Sequence, residues 1–394
     1  MLNLKPLSVV YGEYGLNTGF RTRVEMIGKL LQHVLGTKGE WLTFERGLKA
    51  KTVQVEDSRL LVRMPRSRSV LSLFRNCFKA GLSRLPGEVG GPYDLVIAHS
   101  FNSMFVSLAL KKRFGIPLLL DAHGLWAEEV LSWSGKNNSI KENYLNIVEK
   151  NIIASADGLI YASNSLREFL VDKYKFLEKK PGAVIHCAVD TGEFRFDPEA
   201  RQRLRKEWDW EDKTVIIHSG INAPWVDIQG IMHLIKMCCV LMPETRFLFL
   251  AGDPCSWKEV YNFIEDSNKI KILSVNHSDI PLYLSAADIG LLARINSPIN
   301  RVSCPTKISE YLAIGLPILM TRGIDDYDQY LREFNLGAVI PYLAKIDSEL
   351  PSIIKGLQQI KKEMIIDWCK QNLSLFNYDN AFYILLNSIA KGLK

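Results

Sequence analysis

Lys307 and Glu310 are the two side chains of this sequence best placed to act together. They follow Pro305-Thr306 and precede Gly315, and the stretch between reads as a helix from Thr306 to Ile314. A proline suits the entry to a helix and a glycine its exit. The free N–H groups and positive dipole of such a helix start favour an anion. Lys307 in the first turn adds a mobile point charge suited to a diphosphate. Glu310, one turn on, is a carboxylate that can accept hydrogen bonds from two vicinal hydroxyls such as those of a ribose. Arg294 and Arg301, just upstream, supply further positive charge. His123, in Asp121-Ala-His123-Gly, carries an imidazole that can accept from or donate to a hydroxyl.

These residues must be positioned by an α/β framework. Apolar runs at Leu7–Tyr11, Tyr93–Ala98, Pro117–Ala122 and Gly158–Ala162 are bounded by polar, Gly or Pro residues and read as strands buried on both faces. Helical spacing separates them, as in Val24, Ile27, Leu30, Leu31 and Val34. The alternation fades between His186 and Pro198 and then restarts with strands at Thr214–His218, Arg246–Ala251, Lys269–Leu273, Asp288–Leu292 and Pro317–Thr321. This predicts two Rossmann-like, doubly wound domains facing a cleft, at 1–189 and 190–375. The stretch 376–394 is predicted to be an amphipathic helix, with Phe382, Leu385, Leu386 and Ile389 on one face, crossing back to the first domain. In open α/β sheets ligands bind at the carboxyl ends of the strands, where His123 and Arg294 both fall.

The string from Ala287 to Arg294, continuing through Asn300-Arg301-Val302-Ser303-Cys304-Pro305-Thr306-Lys307 to Glu310-Tyr311-Leu312-Ala313-Ile314-Gly315-Leu316-Pro317, resembles the donor-binding segment of GT4-like glycosyltransferases of the GT-B fold, especially those that build capsule and envelope polysaccharides. The resemblance implies sugar transfer from a nucleoside diphosphate sugar to a glycan or lipid-linked acceptor, with retention of configuration. It assigns donor binding to Thr306, Lys307 and Glu310, with Arg294 and Arg301 supporting the diphosphate. Asp121-Ala-His123 is similar to the family's D-x-H, which implies contact of His123 with the donor sugar. The loop His218-Ser-Gly220-Ile-Asn222 resembles the family loop after the first strand of the second domain. Gly220 and Asn222 are accordingly expected at the donor, although Asn222 and Gln229 leave that loop without the usual Arg and Lys. Val302 stands where many members carry a second Glu. Gly15 and Gly19, in Gly12-Glu-Tyr-Gly-Leu-Asn-Thr-Gly19, resemble the N-terminal glycine loop, where backbone approaches donor or acceptor. Val184-Ile-His186-Cys-Ala-Val-Asp190 resembles the interdomain segment.

The bulk properties agree with a two-domain enzyme of 394 residues. A net charge of +6 is too mild to argue for nucleic acid. The seven cysteines form no CxxC pair, which points to reduced thiols in a cytoplasmic protein. No stretch is long and apolar enough to span a bilayer. A basic amphipathic helix is expected over Val70–Leu85, with Arg68, Arg75 and Lys79 contacting an anionic membrane surface, which suits peripheral attachment at the inner face of the plasma membrane. Asp326-Tyr-Asp328 fits D-x-D, but acidic residues at a helix start are common caps, and neither a metal nor any other cofactor is expected. The competing expectations are a nucleotide-sugar epimerase or hydrolase and a non-catalytic scaffold on the same fold.

Overall fold

The computed structural model describes residues 2–11, 19–37, 39–47, 51–56, 59–65, 92–134, 139–264, 266–345 and 347–391. Gly15 and the proposed membrane helix with Arg68, Arg75 and Lys79 lie outside them. The chain forms two compact units, one of Met1–Leu16, Phe20–His186 and Tyr378–Lys394, the other mainly of Cys187–Asn377.

The first unit is built on an eight-stranded sheet. Its strands are β1 (Pro6–Tyr11), β2 (Glu40–Gly47), β3 (Lys51–Glu56), β4 (Arg59–Pro65), β5 (Leu95–His99), β6 (Leu118–Ala122), β7 (Gly158–Tyr161) and β8 (Gly182–Val184). They lie in the order β3-β4-β2-β1-β5-β6-β7-β8. Every pairing is parallel except β3 with β4, an antiparallel edge. The expected strands are present, and β2, β3, β4 and β8 are additions to them. Strands β1, β5, β6 and β7 are buried along their whole length, as the continuous apolar runs require.

The second unit carries a six-stranded parallel sheet of β9 (Thr214–Ser219), β10 (Thr245–Leu250), β11 (Ile270–Leu273), β12 (Ile289–Leu292), β13 (Ile318–Thr321) and β14 (Gly337–Ile340). Its order, β11-β10-β9-β12-β13-β14, is the Rossmann order 3-2-1-4-5-6. The strand order therefore reverses between β9 and β12, and in the first sheet between β1 and β5. Helices bury both faces of the second sheet. One core gathers Leu248, Leu292, Ile308, Tyr311 and Met320, the other Ile216, Phe249, Trp257, Leu291 and Leu319.

Two short segments connect the units. Val189 N–H donates to Leu373 O at 3.0 Å and Leu375 N–H donates to Val189 O at 3.0 Å, so the outgoing and returning chain pair with each other inside the second unit. The helix Asp379–Lys391 then packs on β8 with Phe382, Leu385, Leu386 and Ile389 buried.

Candidate donor and sugar sites

The helix Thr306–Ile314 follows β12, so its N-terminus lies at the carboxyl end of that strand, beside the switch point. Pro305 is its N-cap in extended conformation, and Gly315 ends it at φ +80°. The helix is fixed through Tyr311, which is fully buried and whose hydroxyl accepts the Ser219 N–H at 2.7 Å. Gly290 of β12 makes room for that ring: a Cβ there would lie 2.8 Å from Tyr311 Cγ.

The same arrangement brings the first helical turn against the β9 loop. A Cβ on Gly220 would overlap Lys307 Nζ and come within 3.1 Å of Lys307 Cε. Gly220 also has φ +129°, a conformation that favours glycine. The lysine amine thus rests on bare backbone at the carboxyl end of β9. Among the described residues it makes no hydrogen bond or ion pair. Burial, with Arg294 close by, brings its pKa down to about 7. Arg294 is held by Asn300, whose Oδ1 accepts from Nη1 at 2.8 Å, and burial lowers its pKa to about 10. Asn300 itself is fully buried and donates to Trp225 O and Ile295 O, at 3.0 and 2.7 Å. Glu310 is 6% exposed, and burial pushes its carboxyl up to about 7 against the attraction of Lys307. His277 Nε2 is 3.9 Å from it. His218, at the end of β9, was not foreseen in this group. Its ring meets Trp257 edge-on at 4.9 Å, and its pKa is held well below the usual value by burial and by Lys307. The cluster is cationic and under-neutralised, which is the electrostatic character of an anion site.

Two expected residues are engaged elsewhere. Arg301 is exposed and bidentate on Asp325, at 3.1 and 2.9 Å. Asn222 donates to Ser256 O at 3.0 Å and pins its loop to the neighbouring turn. Asp326 and Asp328 fall in the first turn of the helix Asp325–Glu333, and Asp328 accepts from Gly323 N–H at 3.2 Å, a capping role. Thr306 is the first helical residue, and its carbonyl accepts from Ser309 Oγ at 2.8 Å.

In the first unit His123 sits just past β6, against Phe20 at the start of the helix Gly19–Leu35, with ring centroids 5.2 Å apart. Its Nε2 lies 2.7 Å from Asp121 Oδ2. Asp121 is the hub of the site. Its Oδ1 accepts from Arg23 Nε and Nη2 at 3.1 and 2.7 Å, and its Oδ2 also meets His99 Nδ1 at 3.1 Å. Arg23 reaches on to Ile185 O at 2.8 Å. The ion pair is fully inaccessible, with side chains 2% and 0% exposed. Arg23 and the two imidazoles hold the Asp121 carboxyl well below the usual range despite its burial. The strand β5 ends on His99, and Ser100 after it has φ +84°, a strained turn into the helix Phe101–Phe114. Asp121 stands beside His123 in the D-x-H stretch, but Arg23 and His99 join them only in the fold, from two further elements. The donor atoms of His99, Asp121 and His123 lie within 4.8 Å of one another, close enough for a metal ion. A cation there would face the Arg23 guanidinium and compete with hydrogen bonds that already saturate Asp121.

Residues 34–193 match a family model described as Glycosyltransferase Family 4. A Bacillus subtilis protein, TuaH, named as a glycosyltransferase of teichuronic acid biosynthesis, is 23% identical over 205 residues; the match covers 52% of this chain and about half, 50%, of that protein. Among solved structures, sucrose-phosphate synthase from Thermosynechococcus elongatus superposes with a TM-score of 0.68 at 15% identity, covering 99% of each chain. Anabaena HepE in complex with UDP-glucose gives 0.67 at 14%, covering 97% of this chain and 99% of its own. WaaG, a glycosyltransferase involved in lipopolysaccharide biosynthesis, gives 0.62 at 14%, covering 98% of both. Residues 34–193 are thus similar to Glycosyltransferase Family 4, and the chain shares with these solved structures the fold of two Rossmann-like domains.

Proposed function

We propose that this protein transfers a sugar from a nucleoside diphosphate sugar to a glycan or lipid-linked acceptor in the building of a cell-envelope polysaccharide, with retention of configuration. The observation that carries the reading is the Lys307 amine, without hydrogen bond or ion pair among the described residues, resting on Gly220 at the head of a helix, with Arg294 beside it. A diphosphate would neutralise both cations and accept the free N–H groups of the first turn. Glu310, three residues along the helix, is at the reach of a ribose. HepE is named in complex with UDP-glucose and TuaH with teichuronic acid biosynthesis, which supports a uridine donor and a polysaccharide product.

In the reaction the sugar gains oxocarbenium character while the diphosphate departs. Lys307, Arg294 and the helix N-terminus stabilise the leaving charge. The resemblance of Asp121-Ala-His123 to the D-x-H stretch gives contact with the sugar to His123. No step requires a metal. Incubation with a panel of nucleotide sugars, with and without a lipid-linked acceptor, tests the proposal. Acceptor-dependent release of nucleoside diphosphate is expected. Release without acceptor would indicate a hydrolase, and failure to bind any nucleotide would indicate a scaffold.

No described helix is long and apolar enough to cross a membrane. Peripheral attachment at the cytoplasmic face through Arg68, Arg75 and Lys79 belongs to the same proposal. Sedimentation with anionic vesicles should be lost when all three become Glu.

A further inference from the structure

We propose that Asp121, locked by Arg23 and His99, is a positioning residue that fixes His123 in the Nε2–H tautomer, so that His123 meets the sugar through a bare Nδ1 and can only accept a hydrogen bond from it. The argument starts from Asp121. An ionised carboxylate accepts hydrogen bonds and donates none. Both of its oxygens are taken: Oδ1 by two N–H groups of Arg23, Oδ2 by His99 Nδ1 at 3.1 Å and His123 Nε2 at 2.7 Å. The nitrogen of His123 that faces Asp121 must therefore carry the hydrogen. Burial keeps the ring from taking a second proton, with Arg23 adding to that effect and Asp121 opposing it; the net shift is downward. Nδ1 is left with its lone pair. It makes no hydrogen bond among the described residues, and it is not among the buried polar atoms lacking a partner, so it reaches the 19% of the side chain that is exposed.

The arrangement is rigid for a reason. Arg23 is anchored at its far end on Ile185 O at 2.8 Å, and His99 Nε2 rests 3.4 Å from Ser8 Oγ. Charge balances inside: one carboxylate, one guanidinium. Protonating His123 would add an uncompensated charge beside Arg23. The consequence is a rule of donor choice. The sugar atom that meets His123 must bear a hydrogen to give, so a hydroxyl is accepted there, and a fluorine or an ether oxygen is not.

The inference deepens the proposed sugar site, yet it is tested first without any sugar. Protein labelled with 15N only in histidine is compared with the His123→Gln variant to assign the ring. In the ligand-free parent the Nε2 signal should be that of a protonated nitrogen and Nδ1 that of a bare one, throughout the neutral range. Asp121→Asn can turn its amide toward the ring and donate, which should invert the tautomer, as replacing the buried Asp of the serine-protease triad does. With UDP-glucose as the probe, turnover should then fall roughly tenfold to a hundredfold, the range expected for one misdirected polar contact, while affinity for UDP is unchanged. Among singly fluorinated UDP-glucose analogues, one should be discriminated against by the parent and tolerated by His123→Ala. A protonated Nδ1 in the parent overturns the proposal, and so does a loss of turnover in Asp121→Asn with the tautomer unmoved. The parent spectrum decides even if Asp121→Asn does not fold. If no nucleotide sugar is bound or turned over, the functional reading fails while the tautomer result stands.

Discussion

Lys307 is a cation that its surroundings hold only half charged at neutral pH. Its pKa is brought down to about 7 by burial and Arg294, and that of Glu310 is pushed up to about 7 by burial. On the proposed nucleoside diphosphate ligand the two titrations would act in opposite directions. As pH rises through 7 the amine loses the proton that a diphosphate needs, so affinity falls on the alkaline side and binding there takes up protons. As pH falls through 7 Glu310 loses the charge to which, in the proposed site, ribose hydroxyls would donate, so affinity should fall on the acid side. Titration calorimetry with UDP is expected to find a maximum near neutrality. Lys307→Ala should remove the alkaline limb and cost about 1.5–3 kcal/mol. Glu310→Gln should remove the acid limb. A flat profile in the parent would contradict both assignments. The identity of this pair was legible in the sequence, because Pro305 and Gly315 bracket it and three residues make one helical turn. Its titration was not legible. The burial involves the loop of His218 and Gly220, which the sequence sets far from Lys307.

The element that matters most is the helix Thr306–Ile314, and its setting depends on a glycine in a strand. Gly290→Ala would press a methyl into Tyr311, whose hydroxyl is the acceptor for Ser219 N–H. The expected loss is about 2–4 kcal/mol, from overpacking and from a stranded buried donor. Tyr311→Phe keeps the ring and removes only the acceptor, and should cost about 1–3 kcal/mol in urea denaturation. If Gly290→Ala matched the parent, the contact would not be what sets the helix. Strands with long apolar runs were readable in advance. Two short strands were not: β8 and β14 run for 3 and 4 residues, too few to show a period. Gly337 explains itself only in the sheet, where a Cβ would lie 2.9 Å from the Ile318 backbone. The edge strands β2 to β4 interleave charged residues with apolar ones, which blurs the alternation.

At the scale of the whole molecule, the chain leaves the first unit after His186 and rejoins it at Tyr378. The rejoining helix is part of that unit's core. Phe382 is fully buried, and Phe382→Ala should cost about 3–5 kcal/mol, read as a lower melting temperature with UDP binding by the folded protein retained. Loss of UDP binding without loss of stability would mean that the helix serves the site and not the core. Activity as a whole is expected to survive excess EDTA. Loss restored by Mg²⁺ or Mn²⁺ would reopen the cluster of His99, Asp121 and His123 as a metal site.

The return of the chain also sets an order of assembly on the ribosome. Residues 187–377 are contiguous, so the second unit has all its parts as soon as its own segment emerges. The first unit has not. Gly158 of β7 packs against Ile389, so close that a Cβ would lie 2.8 Å from its Cδ1, and Ile389 is translated only after the entire second unit. During that interval the β7–β8 corner stays uncovered, a surface open to chaperones and to wrong partners. The half that is synthesised first is therefore the half that finishes folding second.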